Sequence, residues 1–406
     1  MEKLLLVLVV ILAVVGIAQI AKVYQVSSEL QKRREEDISP TANKMNANLW
    51  LVFMVAFFGF FIWQYVEYSD LLLPQAASEH GVAVDKLFYV NWLILIPVFF
   101  IINFLLFFFS WKYVHNKNRK AYYFSHNNKL ELVWTIIPTI ALAFLIIYGL
   151  RVWNEVTDEA DEDALVVQLY GKQFDWTARY AGPDGKMGES NYLLITSQNP
   201  LGLITNETIE ARVIELKEGI TKTENKLASE IMPDDKAEDL EDRIGAYSRQ
   251  IAKILNFKES TNDLSTAYDD IIVKGEFHLP IRREVSFNIN ARDVLHSAYM
   301  PHFRAQMNAV PGMTTKFAYK PVITTDSMRT ILDDAEFNYI LLCNKVCGSA
   351  HYNMQMNIIV ESEEDFQKWL VEQKPFVEPE GIKATKESEE EKVVEEDGQL
   401  AEKNGN

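Results

Sequence analysis

Both cysteines of this 406-residue chain lie in one stretch, Phe337 to Glu361, beside two further soft donors. An alternating apolar run, Phe337, Tyr339 and Leu341, leads into a segment carrying Cys343, Cys347, His351 and Met354, and a second apolar run, Ile358 to Val360, leads out. The donors therefore sit on a loop between two expected strands. Thiolate and thioether favour reduced copper, and His, Cys and Met sets on β scaffolds serve electron transfer, whereas magnesium and calcium seek oxygen. A second histidine has to come from elsewhere. Of the seven histidines, His80, His115 and His126 lie in or beside the apolar N-terminal part, leaving His278, His296 and His302. His296 follows the alternating Val285, Phe287 and Ile289 and fits best. The same residues leave other readings open. They include a strained Cys343–Cys347 disulfide, a structural zinc site, for which methionine has little use, and a thioredoxin-like copper-delivery fold, in which the pair should open a helix and the histidine should follow it.

Asp293-Val294-Leu295-His296-Ser297, then Pro301, then Ala309-Val310-Pro311-Gly312, and then the Cys343-x3-Cys347-x3-His351-x2-Met354 spacing together resemble subunit II of the haem-copper cytochrome c oxidases. The resemblance implies a cupredoxin-like outer domain, a Greek-key β-barrel or sandwich, holding the binuclear copper centre CuA. It implies that Cys343 and Cys347 bridge two coppers, that His296 and His351 each bind one, and that Met354 and the backbone carbonyl of Lys345 are weak axial ligands. Glu131 to Pro138, Glu-Leu-Val-Trp-Thr-Ile-Ile-Pro, matches the start of the family's second helix, where the glutamate lies near the mouth of a proton-uptake path in the catalytic subunit; an interfacial carboxylate with a tryptophan anchor explains the same residues. Gly171 to Tyr180 resembles the family's aromatic strand, with Phe174 in place of the tryptophan that usually receives the electron and with Trp176 near the copper loop.

Four apolar segments must anchor this domain: Leu4 to Ile20, Leu49 to Tyr65, Phe88 to Phe109 and Leu132 to Leu150. Each is close to the roughly 20 residues that cross a bilayer. Residues 1–66 would add two spans to the family's usual pair at 88–152. Lys22, Lys32, Arg33, Arg34 and Lys44 load the first connection and Lys112, Lys117, Arg119, Lys120 and Lys129 the third, while Glu67, Asp70, Glu79 and Asp85 make the second acidic. The positive-inside rule then puts the outer domain and C-terminus on the outer face and favours a retained first span over a cleaved signal peptide, while the two extra spans and the inserted arm, which the family's mitochondrial members lack, imply the periplasmic face of a bacterial inner membrane. A formal charge of −17 argues against nucleic-acid binding. With both cysteines assigned to metal, no disulfide framework is expected.

The outer domain is expected over 164–372. Within it, 206–255 departs from the family. Ile209, Val213, Leu216, Ile220 and Leu227, then Leu240, Ile244, Tyr247, Ile251 and Ile254, recur at helical spacing on either side of Met232-Pro233-Asp234-Asp235, which predicts an inserted antiparallel helical hairpin. It is either a solvated spacer or a docking arm. His278 is expected to be a packed strand residue, and His302 a surface or subunit-contact side chain, the only substitute for His296 as a ligand. Ser362 to Asp365 should cap a closing helix, and 375–406 reads as an acidic disordered tail.

The resemblance implies a subunit of a proton-pumping, oxygen-reducing oxidase that passes electrons to haem in subunit I, the chain holding haem and CuB. Lys345 stands where the family usually has a magnesium-binding glutamate, so no magnesium site is expected. Asn308 replaces a common acidic docking residue, and Ala298 an aromatic. Phe174, Lys345, Asn308 and the helical arm together favour a tethered or complex-bound haem donor, in a supercomplex with the arm as its strut, over an ordinary soluble cytochrome c. A membrane-anchored copper-assembly factor is the alternative of another class. A quinol oxidase subunit would lack the copper ligands, and nitrous oxide reductase lacks such spans.

Overall fold

The computed structural model describes residues 2–30, 39–116, 118–120, 122–260 and 264–377. Lys32, Arg33, Arg34 and Lys117, which entered the charge assignment, and residues 378–406 of the acidic tail lie outside them. The chain divides into two compact units, 1–72 with 89–145 and 73–88 with 146–406.

The first unit is built from helices α1 (Glu2–Leu30) and α2 (Pro40–Glu67) and from most of α3 (Glu79–Lys112) and α4 (Asn128–Val156). Among the described residues α2, α3 and α4 are long and apolar enough to cross a membrane, and α1 contributes a shorter apolar stretch, Ile11–Ser27. Ser39 caps α2 by accepting from Ala42 N–H, with Pro40 in the first turn, where a missing N–H costs nothing. Helices α2 and α3 interlock through rings. Phe57 lies 5.7 Å from Phe99, Phe58 4.8 Å from Phe100 and Phe61 5.1 Å from Phe99, measured between centroids, and Trp111 donates to Asn48.

The second unit carries ten strands: β1 (Leu165–Lys172), β2 (Asp175–Tyr180), β3 (Ile271–Lys274), β4 (Glu276–Pro280), β5 (Val285–Ala291), β6 (His296–Met300), β7 (Ala305–Ala309), β8 (Thr315–Tyr319), β9 (Tyr339–Cys343) and β10 (Gln355–Glu361). One sheet runs β3-β2-β1-β5-β8 and the other β4-β10-β9-β6-β7. Pairs β1/β5 and β4/β10 are parallel and the rest antiparallel. This is the cupredoxin-like architecture in its sandwich form, with no closed barrel. Alternation decides which side chains fill it. Val285, Phe287 and Ile289 of β5 and Tyr339 and Leu341 of β9 are buried while the residues between them are less so, as a pleat with one core face requires. Phe303 stacks on Tyr319 at 4.7 Å and meets Tyr339 at 4.8 Å, tying the two sheets together.

The expected hairpin is present as α5 (Asn206–Ser229) and α6 (Asp234–Ser260), longer than the sequence period implied. Thr205 and Thr208 form a reciprocal capping box at its start. Its root packs Ile209, Leu216 and Ile254 against Leu193, Leu194 and Ile204. At mid-length, Gly219 admits the Tyr247 ring, which a Cβ would meet at 3.1 Å. Short helices α7 (Thr325–Leu332) and α8 (Glu363–Glu372) close the unit, α8 capped by Ser362 as expected. Residues 375–377, assigned from sequence to the tail, instead lie against the β unit: Phe376 and Val377 N–H donate to the carbonyls of Asp270 and Tyr268, and Pro375 sits opposite Ile271.

Segment 73–88 had no place in the expected domains, yet it belongs to the β unit. Ala77 N–H donates to His302 O at 2.7 Å, Val322 N–H donates to Ala77 O at 2.8 Å, and Ser78 Oγ donates to Phe303 O at 2.6 Å. Arg304 reaches across to Asp85 with two bonds of 2.8 and 2.9 Å and to the Pro74 carbonyl.

The deepest ionic contact is Arg179 to Asp270, whose side chains are 2% and 0% exposed; Arg179 also donates to Gln168 and the Gly188 carbonyl, and Gly188 N–H donates to Asp270. Asp270→Ala would leave the guanidinium buried without its counter-charge. It is expected to cost about 3–5 kcal/mol, read as a lower midpoint of chemical denaturation.

Candidate metal centre

Strand β9 ends on Cys343, and the chain turns through 344–350 and a short 3-10 turn, His351–Asn353, before Met354 brings it back to β10. Cys343 N–H donates to Met354 O at 3.0 Å, which closes the base of this loop. Asn344 N–H donates to Ser297 O at 3.3 Å, and Ala298 pairs with Cys343, so the loop is fastened to β6. His296 is the first residue of β6 and not part of a loop; its backbone is fixed opposite Ala309.

These fastenings bring the expected donors together. The two sulfurs are 3.9 Å apart, well beyond the about 2.0 Å of a disulfide, and both cysteines are free. His296 Nδ1 lies 3.8 Å from Cys343 Sγ, and His351 Nδ1 lies 3.6 Å from Cys347 Sγ. Met354 Sδ is 3.8 Å from Cys347 Sγ, and Lys345 O is 3.2 Å from Cys343 Sγ. Ligand atoms of His296, Cys343 and Cys347 form a tight buried group within 4.8 Å of one another, the one such group among the described residues. His351 is not part of it and approaches from the Cys347 side.

Burial, and then the neighbouring Cys343, push the Cys347 thiol up to about 11. A metal bound there must therefore displace a proton that the Cys347 thiol holds firmly.

Asp293 was not singled out from sequence, yet it sets the imidazole. Its Oδ1 lies 2.8 Å from His296 Nε2, so the ring donates there and turns its Nδ1 lone pair toward the sulfurs. Partial burial opposes ionisation of Asp293, but donation from Gln173 N–H, His296 and Val294 N–H holds its carboxyl below the usual range. Gly171 was also missed. A Cβ there would lie 3.0 Å from Trp176 and 3.3 Å from His296, so glycine is what lets Trp176 pack beside the ligand, ring centroids 6.1 Å apart. A conserved-looking spacing gives no signal for such a residue; its role comes from strands distant in sequence.

Phe174 lies in the turn between β1 and β2 and not in a strand, because β2 starts only at Asp175. Its ring covers Gly348, where a Cβ would come within 2.8 Å of it, and the Gln173 side chain donates to Cys347 O. Gly348 has φ +147°, a second reason for glycine. Glu131 belongs to the first unit, in the first turn of α4. Asn127 caps that helix by accepting from Leu130 N–H, and its own N–H reaches Glu131 Oε1 at 3.4 Å.

The other histidines stay away from the metal loop. His278 is a packed strand residue as expected, stacked on Trp369 at 4.1 Å with Nδ1 2.7 Å from Glu361. His302 is not the surface side chain expected. It packs edge-on against Phe337 and Tyr339 at 5.1 and 5.3 Å, because the 3-10 turn Pro301–Phe303 points it into the aromatic cluster.

The transmembrane-domain family model of cytochrome C oxidase subunit II matches residues 66–152, and the periplasmic-domain model of the same subunit matches residues 256–363. The alternative cytochrome c oxidase subunit 2 of Bradyrhizobium diazoefficiens is 29% identical over 267 residues, 65% of this chain and 71% of that protein. The cytochrome c oxidase subunit 2 of Thermostichus vulcanus is 25% identical over 309 residues, 75% of this chain and 79% of that one. A crystal structure of the periplasmic domain of subunit II of cytochrome oxidase from Bradyrhizobium japonicum aligns with 52% of this chain and 93% of its own, at 14% identity and a TM-score of 0.25. Neither family match takes in α5, and the periplasmic one begins only in the last turns of α6.

Two outcomes are expected. Asp293→Ala should weaken a metal held at His296 Nδ1 by roughly 10- to 100-fold, measured by competition with a chelator. Burial, with the Arg304 guanidinium nearby, lowers His302 to about 4. The unfolded chain then takes up a proton that the folded one refuses, so stability should fall as pH drops from 6.5 toward 4. His302→Gln should flatten this acid limb in denaturation curves, by at most about 3 kcal/mol.

Proposed function

This chain belongs to the cytochrome c oxidase subunit II family, and from that premise we propose that it is the electron-accepting subunit of a terminal haem-copper oxidase, holding two copper ions as a CuA centre. Membership makes it a membrane protein with a periplasmic domain, a component of an oxidase complex whose partner is subunit I, in a family whose periplasmic domain binds copper. The finer assignments are ours.

The ligands proposed are His296, Cys343, Cys347, His351, Met354 and the carbonyl of Lys345. The observation that carries the proposal is two sulfurs 3.9 Å apart with an imidazole at either end, one nitrogen 3.8 Å from the first sulfur and the other 3.6 Å from the second. A single tetrahedral ion would want both imidazoles close to both sulfurs, whereas the tight group takes in His296 alone. Methionine suits copper better than zinc.

Copper bound there supplies a one-electron store shared over both thiolates, so that little rearrangement accompanies reduction. The chain's own residues keep that site rigid. Asp293 holds the His296 tautomer, Cys343 N–H and Met354 O close the loop, and buried Trp176 excludes water on one side. Phe174 and Trp176 are the aromatic groups beside the proposed path, with haem in subunit I as acceptor and cytochrome c or a complex-bound haem domain as donor. Glu131 is proposed at the mouth of a proton-uptake path. Four spans, counting α1, would put the metal domain on the periplasmic face of a bacterial inner membrane.

The test uses the full chain, because residues 73–88 pack into the β unit. Loaded with copper, it should give an electron paramagnetic resonance spectrum with a seven-line hyperfine pattern, as one electron shared equally by two copper nuclei requires. Cys343→Ser should abolish the pattern. A four-line single-copper signal, or a colourless zinc adduct, would sink the proposal and favour an assembly factor.

A further inference from the structure

The loops that present the ligands expose apolar side chains that the fold does not use. Val346 is 84% exposed and Tyr352 85%, and both sit in the metal loop between ligands. Val294 and Leu295, exposed as well, precede His296. These stretches form one face, fastened by Asn344 N–H to Ser297 O and by Gln173 N–H to Asp293 Oδ2 at 2.8 Å. Exposed apolar groups gathered on ligand-bearing loops mark a contact surface.

Charge says what kind of contact. The chain as a whole carries −17, yet residues 292–295 and 344–353 hold Arg292 and Lys345 against the single carboxylate of Asp293. That carboxylate is already engaged: Oδ1 meets His296 and Val294 N–H, and Oδ2 accepts from Gln173 N–H. In the neighbouring turn, Lys172 and Asp175 offset each other. A donor ringed with lysines finds no free carboxylate here, and the outward charge is positive. Phe174 is held against Gly348, so the freely accessible aromatic on this face is Tyr352, which directly follows ligand His351.

Resting on the electron-accepting role proposed above, we infer that the electron donor docks on this face by apolar contact seated on Val346 and Tyr352, and that it is a haem protein whose contact rim carries carboxylates and not lysines. Apolar anchors set the lifetime of such a complex and rim charges set its rate of formation.

The test is stopped-flow reduction of the intact oxidase by an acidic and by a basic soluble c-type cytochrome, across ionic strength, with the copper resonance signal recorded for each variant. The acidic cytochrome should be the faster donor at low salt. Val346→Ser with Tyr352→Ser should lower its second-order rate about tenfold or more with the copper signal unchanged. Lys345→Glu should slow the acidic donor and speed the basic one, opposite signs that misfolding cannot produce. A basic cytochrome that is faster at low salt, or a double variant within about twofold of wild type, would overturn the docking inference while leaving the copper assignment standing. An oxidase without the seven-line signal would overturn both.

Discussion

Everything at the metal loop depends on holding two thiols 3.9 Å apart without letting them join. Free cysteines at that separation oxidise readily outside the cytoplasm unless the backbone resists closing the gap. Here resistance comes from pairing. Ala298 opposite Cys343 fixes one sulfur to β6, Cys343 N–H to Met354 O fixes the far end of the loop, and the Gln173 side chain holds the carbonyl of Cys347 from a third direction. The ligand separation is thus a property of strand register in the β4-β10-β9-β6-β7 sheet, and slipping β9 by one residue would turn Cys343 to the opposite face.

The cluster of candidate donors from Cys343 to Met354 and the strands around it were legible because both are local. Four soft donors within twelve residues and a period-two apolar pattern need no knowledge of the rest of the chain. Hairpin α5–α6 was legible for the same reason, its seam repeating at helical spacing. The features that escaped depend on how side chains meet in space, which spacing alone does not reveal. Asp293 is a routine loop carboxylate until its oxygen is seen 2.8 Å from His296 Nε2. Gly171 matters only because Trp176 and His296 converge on it. His302 reads as polar and exposed until the turn at Pro301 swings it toward Phe337 and Tyr339.

Segment 73–88 shows the same limit at the scale of a domain. Its sequence, with Glu79 and Asp85 as its carboxylates and apolar runs on either side, reads as a plain connection. Yet Ala77 accepts and donates in a strand-like manner between His302 and Val322, and Asp85 answers the Arg304 guanidinium, whose own backbone is left-handed at φ 52°. Arg304 therefore holds Asp85, Pro74 and Pro301 at once. A cation with so many partners is rigid, and it lies two residues before the strand pairing, Gln306 to Tyr299, that carries β6 back toward His296.

The metal loop also separates two kinds of information. Cys343, Cys347 and Met354 are buried and point inward, and His351 reaches their sulfurs, so the chain between them must face solvent whatever its composition. Asn344, Lys345, Val346, Ser349, Tyr352 and Asn353 occupy these outward positions. The proposed ligation would constrain only the backbone here, through the carbonyl of Lys345, and the neighbouring Gly348 contributes a positive φ. Side chains at the remaining outward positions can change without disturbing a single donor distance. A loop built this way can keep its metal chemistry fixed while the identity of the protein that touches it is rewritten, and the apolar and basic residues found there are the part of the sequence free to encode that choice.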